Sequence, residues 1–564
     1  MISVDPTEYV TIAVVCVLAV TAANTLAPRL RIAAPLLLVA VGVGVSFVPR
    51  VPEISVNPEI ILVLVLPPLL YAAARAMPVM DFKRDFGTIG ALSIVLVLIS
   101  SLVLGAFFTA ILPDVDYALG VALGAILSPT DAVATGTIKR LGAPNRIVTV
   151  LSGESLFNDA TSLVLLRAAV AATAGGISLG GVVVNFVWAM VGAVLVGAVV
   201  GALLGRLQAR IRVPALATAV SFTAPYIAFV PAELIGASGL VGAVAAGLVS
   251  SRIAVRRHSA AQRSSDAQNW RMVEVLLEGG VFLLMGLELA TLVTDVSREH
   301  DTWLHALWPA ALALTLALVV RAVFMMPLVW WLDKRAGRLI SREDSLAALK
   351  DALSDGRAAE DTAARRYRVA IDRRLSDIAY YRTEAMGPRE GMAVVWGGLR
   401  GVVTLAAAQT LPAETPHRSL LILIAFFVAG LSLSIQGGLM APVLRLLRLP
   451  DQSEQERAER ARLHGEMLDV AGRVLDDPRV IGDDPALAER VRLVRGLETP
   501  DVDVEQNALD TRLKTAAELR RVRLTVIEEQ RRRLLGLRER RAYSSAALTA
   551  ELAKLDAEEI SLTL

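Results

Sequence analysis

The residues of this sequence that could do chemistry are acidic and amide side chains inside long apolar stretches. Asp131 follows a Ser-Pro-Thr triplet, and Glu154, Asn158 and Asp159 lie within "VLSGESLFNDATSLVLL". A charge in the hydrocarbon centre costs at least about 2.5–3.5 kcal/mol, so each carboxylate is a functional candidate by default. Carboxylate, amide and hydroxyl oxygens are the ligands of a hard cation that has lost its water. These residues therefore indicate a cation site inside a membrane.

Four polar residues, including Asp159, share one face of a helix. Ser155, Asn158, Asp159 and Ser162 are three or four positions apart, and Glu154 lies at the edge of that face. The alternative is a polar seam that holds helices together, a role that Ser and Asn often have in membranes. Because an Asn beside an Asp is more than adhesion requires, we favour the cation site.

Apolar stretches long enough to cross a bilayer carry these residues. A span needs about 20 predominantly apolar residues. We predict thirteen spans, at 8–27, 32–49, 57–74, 86–112, 117–138, 146–174, 180–206, 214–232, 235–252, 270–293, 303–332, 391–411 and 417–447. Asp131 belongs to the fifth span and Asp159 to the sixth. The expected fold class is an all-α polytopic membrane protein with 13 transmembrane helices.

The composition agrees with a membrane protein and excludes several other classes. Hydrophobic residues make up 54% of the chain and charged residues 20%, with a mean hydropathy of +0.55, and the charges concentrate after residue 450. This distribution excludes a soluble enzyme with an appended tail. The continuous apolar runs exclude an outer-membrane barrel, whose strands would alternate. Cys16 is the one cysteine, so no intramolecular disulfide can form.

Two of the spans are interrupted. Pro129 removes a backbone donor and clashes with the preceding turn in the fifth span, and such a break is tolerated only where it lines a cavity or is buried in protein. The twelfth span contains "WGGLRG" at 396–401. These two spans run in opposite directions, and paired interruptions in oppositely oriented halves indicate the site of a secondary transporter. We therefore predict inverted repeats, formed by spans two to six and nine to thirteen.

Lys and Arg residues in the short loops predict the orientation. They cluster after the odd-numbered spans up to the ninth, as with Arg29 and Arg31, whereas the alternate loops carry none or one, such as Arg50. By the positive-inside rule the N-terminus lies outside and the C-terminus in the cytoplasm. We thus expect a multi-pass protein of the cell (plasma) membrane.

Two hydrophilic segments then face the cytoplasm. The predicted organisation is a transmembrane domain at 1–449, with a cytoplasmic insertion at 333–388, followed by a helical tail at 450–564. Residues 508–540 are expected to form an amphipathic, charge-laced helix. We favour packing on the membrane domain or on a second copy for both segments, with a regulatory role as the alternative. No phosphate-binding loop is present to drive an ATP-dependent pump.

Other intramembrane charges have less specific interpretations. Glu274, Glu278 and Glu288 lie in the tenth span, where an interfacial or structural role is favoured. Arg321 and Arg400 lie in the eleventh and twelfth spans. Arg167 in the sixth span either extends to the outer interface or has a function, and the two interpretations are equally open.

Three motifs resemble a known family. They are "SPTDAVA" (128–134), "GESLFNDATSLVL" (153–165) and "GLRGVVTLAAA" (398–408), supported by "LPPLLYAAA" (66–74). They are similar to the monovalent cation:proton antiporters, in the sodium/proton exchanger (NhaP-type) branch. The resemblance extends from the first span to the thirteenth and does not include the tail.

The resemblance implies a homodimeric transporter rather than an enzyme, with no cofactor and no nucleic-acid partner. Each subunit would have a dimerisation domain and a mobile core domain with two crossed broken helices, the NhaA-like antiporter fold. The transported ions would be H⁺ and Na⁺, K⁺ or Li⁺, with Na⁺ favoured. Many relatives have Glu where this chain has Ala72, which weakens any inference from them about ion preference.

The resemblance also implies roles for the site residues. Asp159 would be the ion-binding carboxylate and Asn158 its neutral neighbour, while Thr130 and Ser155 would offer oxygens to the ion. Asp131 would complement the positive end of a broken helix. In addition, Glu154 would form a structural ion pair, with Arg321 favoured as its partner, and Arg400 would balance the other broken helix.

The mechanistic hypothesis is competition at Asp159. This carboxylate would bind either a proton or a Na⁺-like cation, and the loaded core would carry it across the barrier. Because Asn158 cannot take up a second proton, the hypothesis predicts electroneutral one-for-one exchange, unless Asp131 also carries a proton. The alternatives are a K⁺/H⁺ antiporter of the same fold, a cation channel, and a membrane sensor that signals through its tail.

Overall fold

The regular structure of the protein is helical. The computed structural model describes residues 6–30, 32–47, 58–131, 133–173, 179–298, 303–353, 362–412, 414–450, 452–481 and 509–563. Within these ranges there is no β-strand, which confirms the predicted all-α class. Arg50, counted in one of the predicted loops, lies outside them.

The described helices follow one another with short connections. In chain order they are α1 (Pro6–Leu30), α2 (Ala34–Ser46), α3 (Pro58–Ile60), α4 (Leu66–Ala76), α5 (Val79–Arg84), α6 (Phe86–Gly90), α7 (Val97–Ile111), α8 (Tyr117–Leu127), α9 (Val133–Arg140), α10 (Asn145–Thr173), α11 (Leu179–Gln208), α12 (Pro214–Leu234), α13 (Gly239–Arg257), α14 (Ala260–Arg298), α15 (Trp303–Ile340), α16 (Glu343–Ala352), α17 (Thr362–Thr383), α18 (Pro388–Trp396), α19 (Val402–Gln409), α20 (Arg418–Leu431), α21 (Met440–Leu447), α22 (Ser453–Leu475), α23 (Pro478–Ile481), α24 (Leu509–Arg540) and α25 (Ser545–Thr563). Wider π-helical turns precede α4 and α7 and follow α20, at Ile61–Val65, Ala91–Leu96 and Ser432–Gly437.

Nine helical segments within the described ranges are long and apolar enough to cross a membrane, and three further apolar helices are shorter. The shorter ones are Ala34–Ser46, Ile61–Ala76 and Tyr117–Leu127. The protein is therefore a polytopic helical membrane protein. The number of thirteen crossings and the inverted repeats stay predictions, because broken helices are individually too short to count as spans.

The chain divides into two compact units. Unit one comprises Met1–His258, Ser265–Arg335 and Glu384–Asp451, and unit two comprises Ser259–Ser264, Ala336–Thr383 and Gln452–Leu564. Unit one contains the apolar helices. The hydrophilic segment after α15 and the tail together make up most of unit two.

Two groups of helices can be distinguished within unit one. In the scaffold group, α4, α11, α12 and α13 pack mainly against one another. In the site group, α8 packs against α7, α10, α19 and α20, and α10 also contacts α7 and α18. The helix α10 contacts the scaffold helices α4, α11 and α13 as well. Small residues permit this close packing, as is common in membranes: a Cβ on Gly105 of α7 would lie 2.9 Å from the backbone nitrogen of Val121 on α8.

Unit two is held together by helices with many charged residues. The predicted helix at 508–540 is confirmed as α24, which packs against α17, α22 and α25. Ion pairs join these helices, including Arg541 to Asp377 at 2.7 Å and Arg533 to Glu466 at 2.5 Å. The Arg263 guanidinium, in the 259–264 segment, donates from Nε to Asp556 Oδ2 at 2.8 Å.

Candidate functional site

The first interruption lies between α8 and α9. α8 ends at Leu127, and the backbone from Pro129 to Asp131 is not helical. Pro129 cannot donate the hydrogen bond of a helical residue, which favours the break at this point. The Asp131 amide instead donates to the carbonyl of Leu399 at 2.6 Å. The first interruption is thus bonded directly to the second.

The second interruption lies between α18 and α19. The Asp131 carboxylate packs against Gly401, the residue that precedes α19, so closely that a Cβ on Gly401 would overlap it. The N-terminal end of a helix carries unpaired N–H groups and a partial positive charge. Asp131 therefore lies where a negative charge is favourable, as the resemblance implies.

Two arginines bind backbone carbonyls near the C-terminal ends of α8 and α18, the helices that precede the two interruptions. Arg400 donates to the carbonyl of Leu127, the last residue of α8, at 3.1 Å and to that of Gly398 at 2.7 Å. Arg321 donates from Nε and Nη2 to the carbonyl of Val394 in α18, at 3.2 and 3.0 Å. The guanidinium groups thereby satisfy carbonyls that a helix leaves unpaired at its C-terminal end.

A buried ion pair and two polar side chains connect these arginines to the site. Arg321 donates to both oxygens of Glu154, from Nη2 to Oε2 at 2.6 Å, and both side chains are 2% exposed. The Thr130 hydroxyl donates to Glu154 Oε1 at 3.1 Å and accepts from Asn158 Nδ2 at 2.6 Å. Each partner fixes the next, so Asn158 is held in one orientation.

Asp159 is buried beside this chain of hydrogen bonds, at 7% exposure, and Asn158 is fully buried. Asp131 is close enough to Asp159 for the two carboxylates to interact electrostatically. Among the described residues, Asn158 Oδ1 is buried and accepts no hydrogen bond. The arrangement leaves a carboxylate and an amide oxygen available to a cation, the donor set that a hard monovalent ion prefers.

The hydroxyls on the same face of α10 are bonded within their own helix. Ser155 donates to the carbonyl of Ser152 at 3.1 Å, and Ser162 donates to that of Asp159 at 2.8 Å. Their oxygens keep lone pairs as acceptors, so these bonds are compatible with a role for Ser155 as an ion ligand.

The other polar candidates lie around the crossing or away from it. Glu278 interacts electrostatically with Asp131. Glu288 is buried at 8% exposure and accepts a hydrogen bond from Gln409, the last residue of α19. Ala72 lies in an apolar cluster with Tyr71, Trp270 and other alanines.

A second buried ion pair was not predicted from the sequence. Arg75 of α4, which the topology prediction uses only as a loop charge, pairs with Asp266 of α14. Ser221 donates to Asp266 Oδ1 at 2.8 Å and accepts from Trp270 Nε1 at 2.6 Å. Since Arg75 and Asp266 are 191 positions apart, no local spacing could have identified them as partners.

We expect Gly401→Ala to lower the transport activity strongly, because the added methyl group must displace the Asp131 carboxylate from the start of α19. The measurement is cation-driven proton flux in proteoliposomes that contain equal amounts of folded protein. Gly430→Ala in α20 is the matched control, since its Cβ would meet nothing within 4 Å. Equal flux from the two variants would contradict a role for the Asp131–Gly401 contact.

Two interrupted helices that are bonded to each other near a buried carboxylate, in a bundle of apolar helices, are typical of secondary transporters. The family model for the transmembrane sodium/hydrogen exchangers matches residues 13–446. The chain therefore belongs to the sodium/hydrogen exchanger family, which confirms the resemblance of its motifs.

Individual proteins agree with this assignment. An uncharacterised Na⁺/H⁺ exchanger of Mycobacterium bovis is 28% identical, over 97% of this chain and 95% of its own length. A sodium, potassium, lithium and rubidium/H⁺ antiporter of Bacillus pumilus is 28% identical, over 57% of this chain and 49% of its own. The structure of the sodium proton antiporter MjNhaP1 of Methanocaldococcus jannaschii matches the fold, with a TM-score of 0.56 and 17% identity, over 78% of this chain and 99% of that one.

Proposed function

We propose that the protein exchanges one monovalent cation, Na⁺ in the first place, for one proton by alternating access at Asp159. The observation that carries the proposal is the burial of Asp159 near Asp131, which lies in the interruption between α8 and α9. The neighbouring Asn158 has an amide oxygen that accepts no hydrogen bond from the described residues. Membership of the exchanger family supports the same reaction class. The working unit is a homodimer in the plasma membrane, with thirteen crossings and a cytoplasmic C-terminus.

Competition at one carboxylate is sufficient to couple the two ions. A buried carboxylate is costly when it is charged and unpaired, so it takes up either a proton or a cation. Each ligand excludes the other, and the loaded site is neutral in both cases. The site group can move across the barrier at low energetic cost when Asp159 is neutralised by a proton or a cation. The same movement is costly when Asp159 is charged and carries neither.

The stoichiometry follows from the neighbours of Asp159. Asn158 carries no proton that it can exchange, and its Nδ2 is already engaged with Thr130. Glu154 is neutralised by Arg321, so it does not add a second transported charge. We therefore propose electroneutral exchange, in which Asp131 keeps one protonation state throughout the cycle.

A potassium/proton antiporter of the same fold is the second candidate. It is favoured by Ala72, an alanine at a position where the resemblance implies glutamate in many relatives, so this chain has one carboxylate fewer that could be linked to the ion. The printed name of the Bacillus pumilus relative includes potassium among its ions.

The test is flux through the purified full-length protein in liposomes that contain a pH-sensitive dye. Gradients of Na⁺, K⁺ and Li⁺ are imposed one at a time, and we expect saturable proton counterflow with Na⁺. An imposed membrane voltage should leave the exchange equilibrium unchanged if the process is electroneutral. Large single-channel currents would instead favour a channel, and a voltage-dependent equilibrium would contradict the one-for-one stoichiometry.

A further inference from the structure

An exposed ion pair joins the two helix groups of unit one. Arg167 lies on α10, the helix of the site group that carries Asp159, and its Nη1 is 3.0 Å from Oε2 of Glu233 on α12. α12 belongs to the scaffold group. Asp159 precedes Arg167 by eight residues, which is roughly 12 Å along the helix axis. The Arg167–Glu233 pair thus connects α10 to the scaffold group at a point well away from Asp159.

The Glu233 carboxylate is held in place by the scaffold group. Its other oxygen, Oε1, accepts from the backbone N–H of Gly239, the first residue of α13, at 2.8 Å. The turn between α12 and α13 contains Gly236 in the left-handed region, with φ +71°, a conformation that glycine adopts without strain. This carboxylate therefore caps a helix and has a fixed position.

Two hydrogen bonds with α11 stabilise the same turn between α12 and α13. Trp188 donates from Nε1 to the carbonyl of Ile235 at 2.9 Å, and the amide of Ser238 donates to the carbonyl of Ala189 at 3.0 Å. Three helices of the scaffold group consequently meet at the corner that carries Glu233.

The Arg167 side chain is more exposed than that of its partner Glu233. It is 65% exposed, whereas the Glu233 side chain is 30% exposed. By contrast, both members of the Arg321–Glu154 pair are 2% exposed. Breaking a buried pair leaves an unpaired charge in the interior, whereas an ion pair at the water interface separates at little cost. Glu233 lies one residue before the end of its candidate span, Pro214–Leu234, where such an interface is expected. The Arg167–Glu233 contact can therefore form and break during a transport cycle.

We propose that Arg167 and Glu233 are positioning residues that form a reversible latch between the ion-binding helix and the scaffold. The latch favours the conformation in which this end of α10 lies against the α12–α13 corner. It opens when the site group moves to expose Asp159 at that side of the membrane. This inference rests on the proposed function, because it assumes alternating access at Asp159.

The first experiment uses Arg167→Gln and Glu233→Gln in the full-length protein. The glutamine amide oxygen at position 233 can still accept from Gly239, so the helix cap is retained. The variants are measured in vesicles in which all proteins have one orientation. We expect the KM for the cation to change about two- to fivefold, the size of effect that an exposed ion pair has. The change should be an increase at one membrane face and a decrease at the other. The double variant should match either single one, since both break the same contact.

The controls separate a latch from a general structural role. Arg167→Lys keeps the charge and should stay close to the wild-type KM values. Arg206→Gln removes an exposed arginine of α11 that bonds to the carbonyl of Ala202 in its own helix, and it should leave KM unchanged. KM values at both faces equal to those of the wild type, or effects that add in the double variant, would overturn the inference. Absence of exchange in the wild type would instead refute the proposed function.

A second experiment does not depend on small changes in KM. Cys16 is the one cysteine of the sequence, so Arg167→Cys and Glu233→Cys can be combined with Cys16→Ser. A short, cleavable bifunctional thiol reagent should stop the exchange when it bridges the two positions, and reduction should restore it. The two single-cysteine variants should keep their activity with the reagent. Full exchange by the bridged protein would overturn the inference.

Discussion

Asp159→Asn is expected to reduce cation-driven proton flux in proteoliposomes to the level of protein-free liposomes. Asparagine has the shape of aspartate, so the helix and its neighbours can remain in place. It neither takes up a proton nor offers a negative charge to a cation, and the competition that couples the two ions is lost. The effect should be the largest of any single substitution outside the structural ion pairs.

Asp114→Asn is the matched control for this change. Asp114 lies in the exposed turn between α7 and α8, and its φ of +65° suits asparagine as well as aspartate. We expect wild-type flux from this variant. Flux through Asp159→Asn at the parental rate would falsify the assignment of Asp159 as the shared carboxylate. Asp131→Asn is informative as well: conversion to voltage-dependent exchange in that variant would show that Asp131 takes part in the charge balance.

Glu154→Gln is expected to destabilise the protein by about 3–5 kcal/mol, the typical cost of leaving one member of a buried ion pair without its partner. Arg321 would lose its charged partner and one of the two oxygens that accept from it, while remaining almost fully buried. Thr130 would also lose a charged acceptor for its hydroxyl, and with it Asn158 would lose its fixed orientation. We therefore expect a large fall in the midpoint of thermal unfolding of the detergent-purified protein, accompanied by reduced exchange.

Two further variants test the physical reason for this loss. Arg321→Lys keeps the positive charge but lacks the forked donors that reach Glu154 and Val394 together, so an intermediate fall is expected. Asp114→Asn, which affects an exposed carboxylate 3.9 Å from His417, should change the stability by less than about 0.5 kcal/mol. If Glu154→Gln unfolds at the wild-type temperature, the buried pair does not hold the crossing together.

The interruptions of the two broken helices could be predicted because their causes are local. Pro129 ends α8 through its missing N–H, and the glycines at 397 and 398 weaken the helix that ends at Trp396. The long helix of the tail was likewise visible in the pattern of its charges. The role of Asp131 at a helix end, by contrast, was predicted from the family resemblance and not from a local cause.

Partners that lie far apart in the chain could not be predicted from composition or spacing. The Arg75–Asp266 pair and the Arg167–Glu233 pair join helices that have many turns between them in the sequence. Their side chains could equally have extended to an interface or to loop solvent. Only the arrangement of the helices in space brings each charge to its partner.

The sequence by itself determined the membrane class, the polar residues that must be shielded from lipid, and the positions at which two helices break, because each depends on the residue types within a single turn or span. The tertiary structure alone decided that the Asp131 carboxylate rests on Gly401, that Asn158 Oδ1 accepts no hydrogen bond from the residues described, and that Glu233 contacts Arg167. The physical reason is that hydrogen bonds and ion pairs act over a few ångströms, so they depend on the arrangement of helices in space and not on distance along the chain.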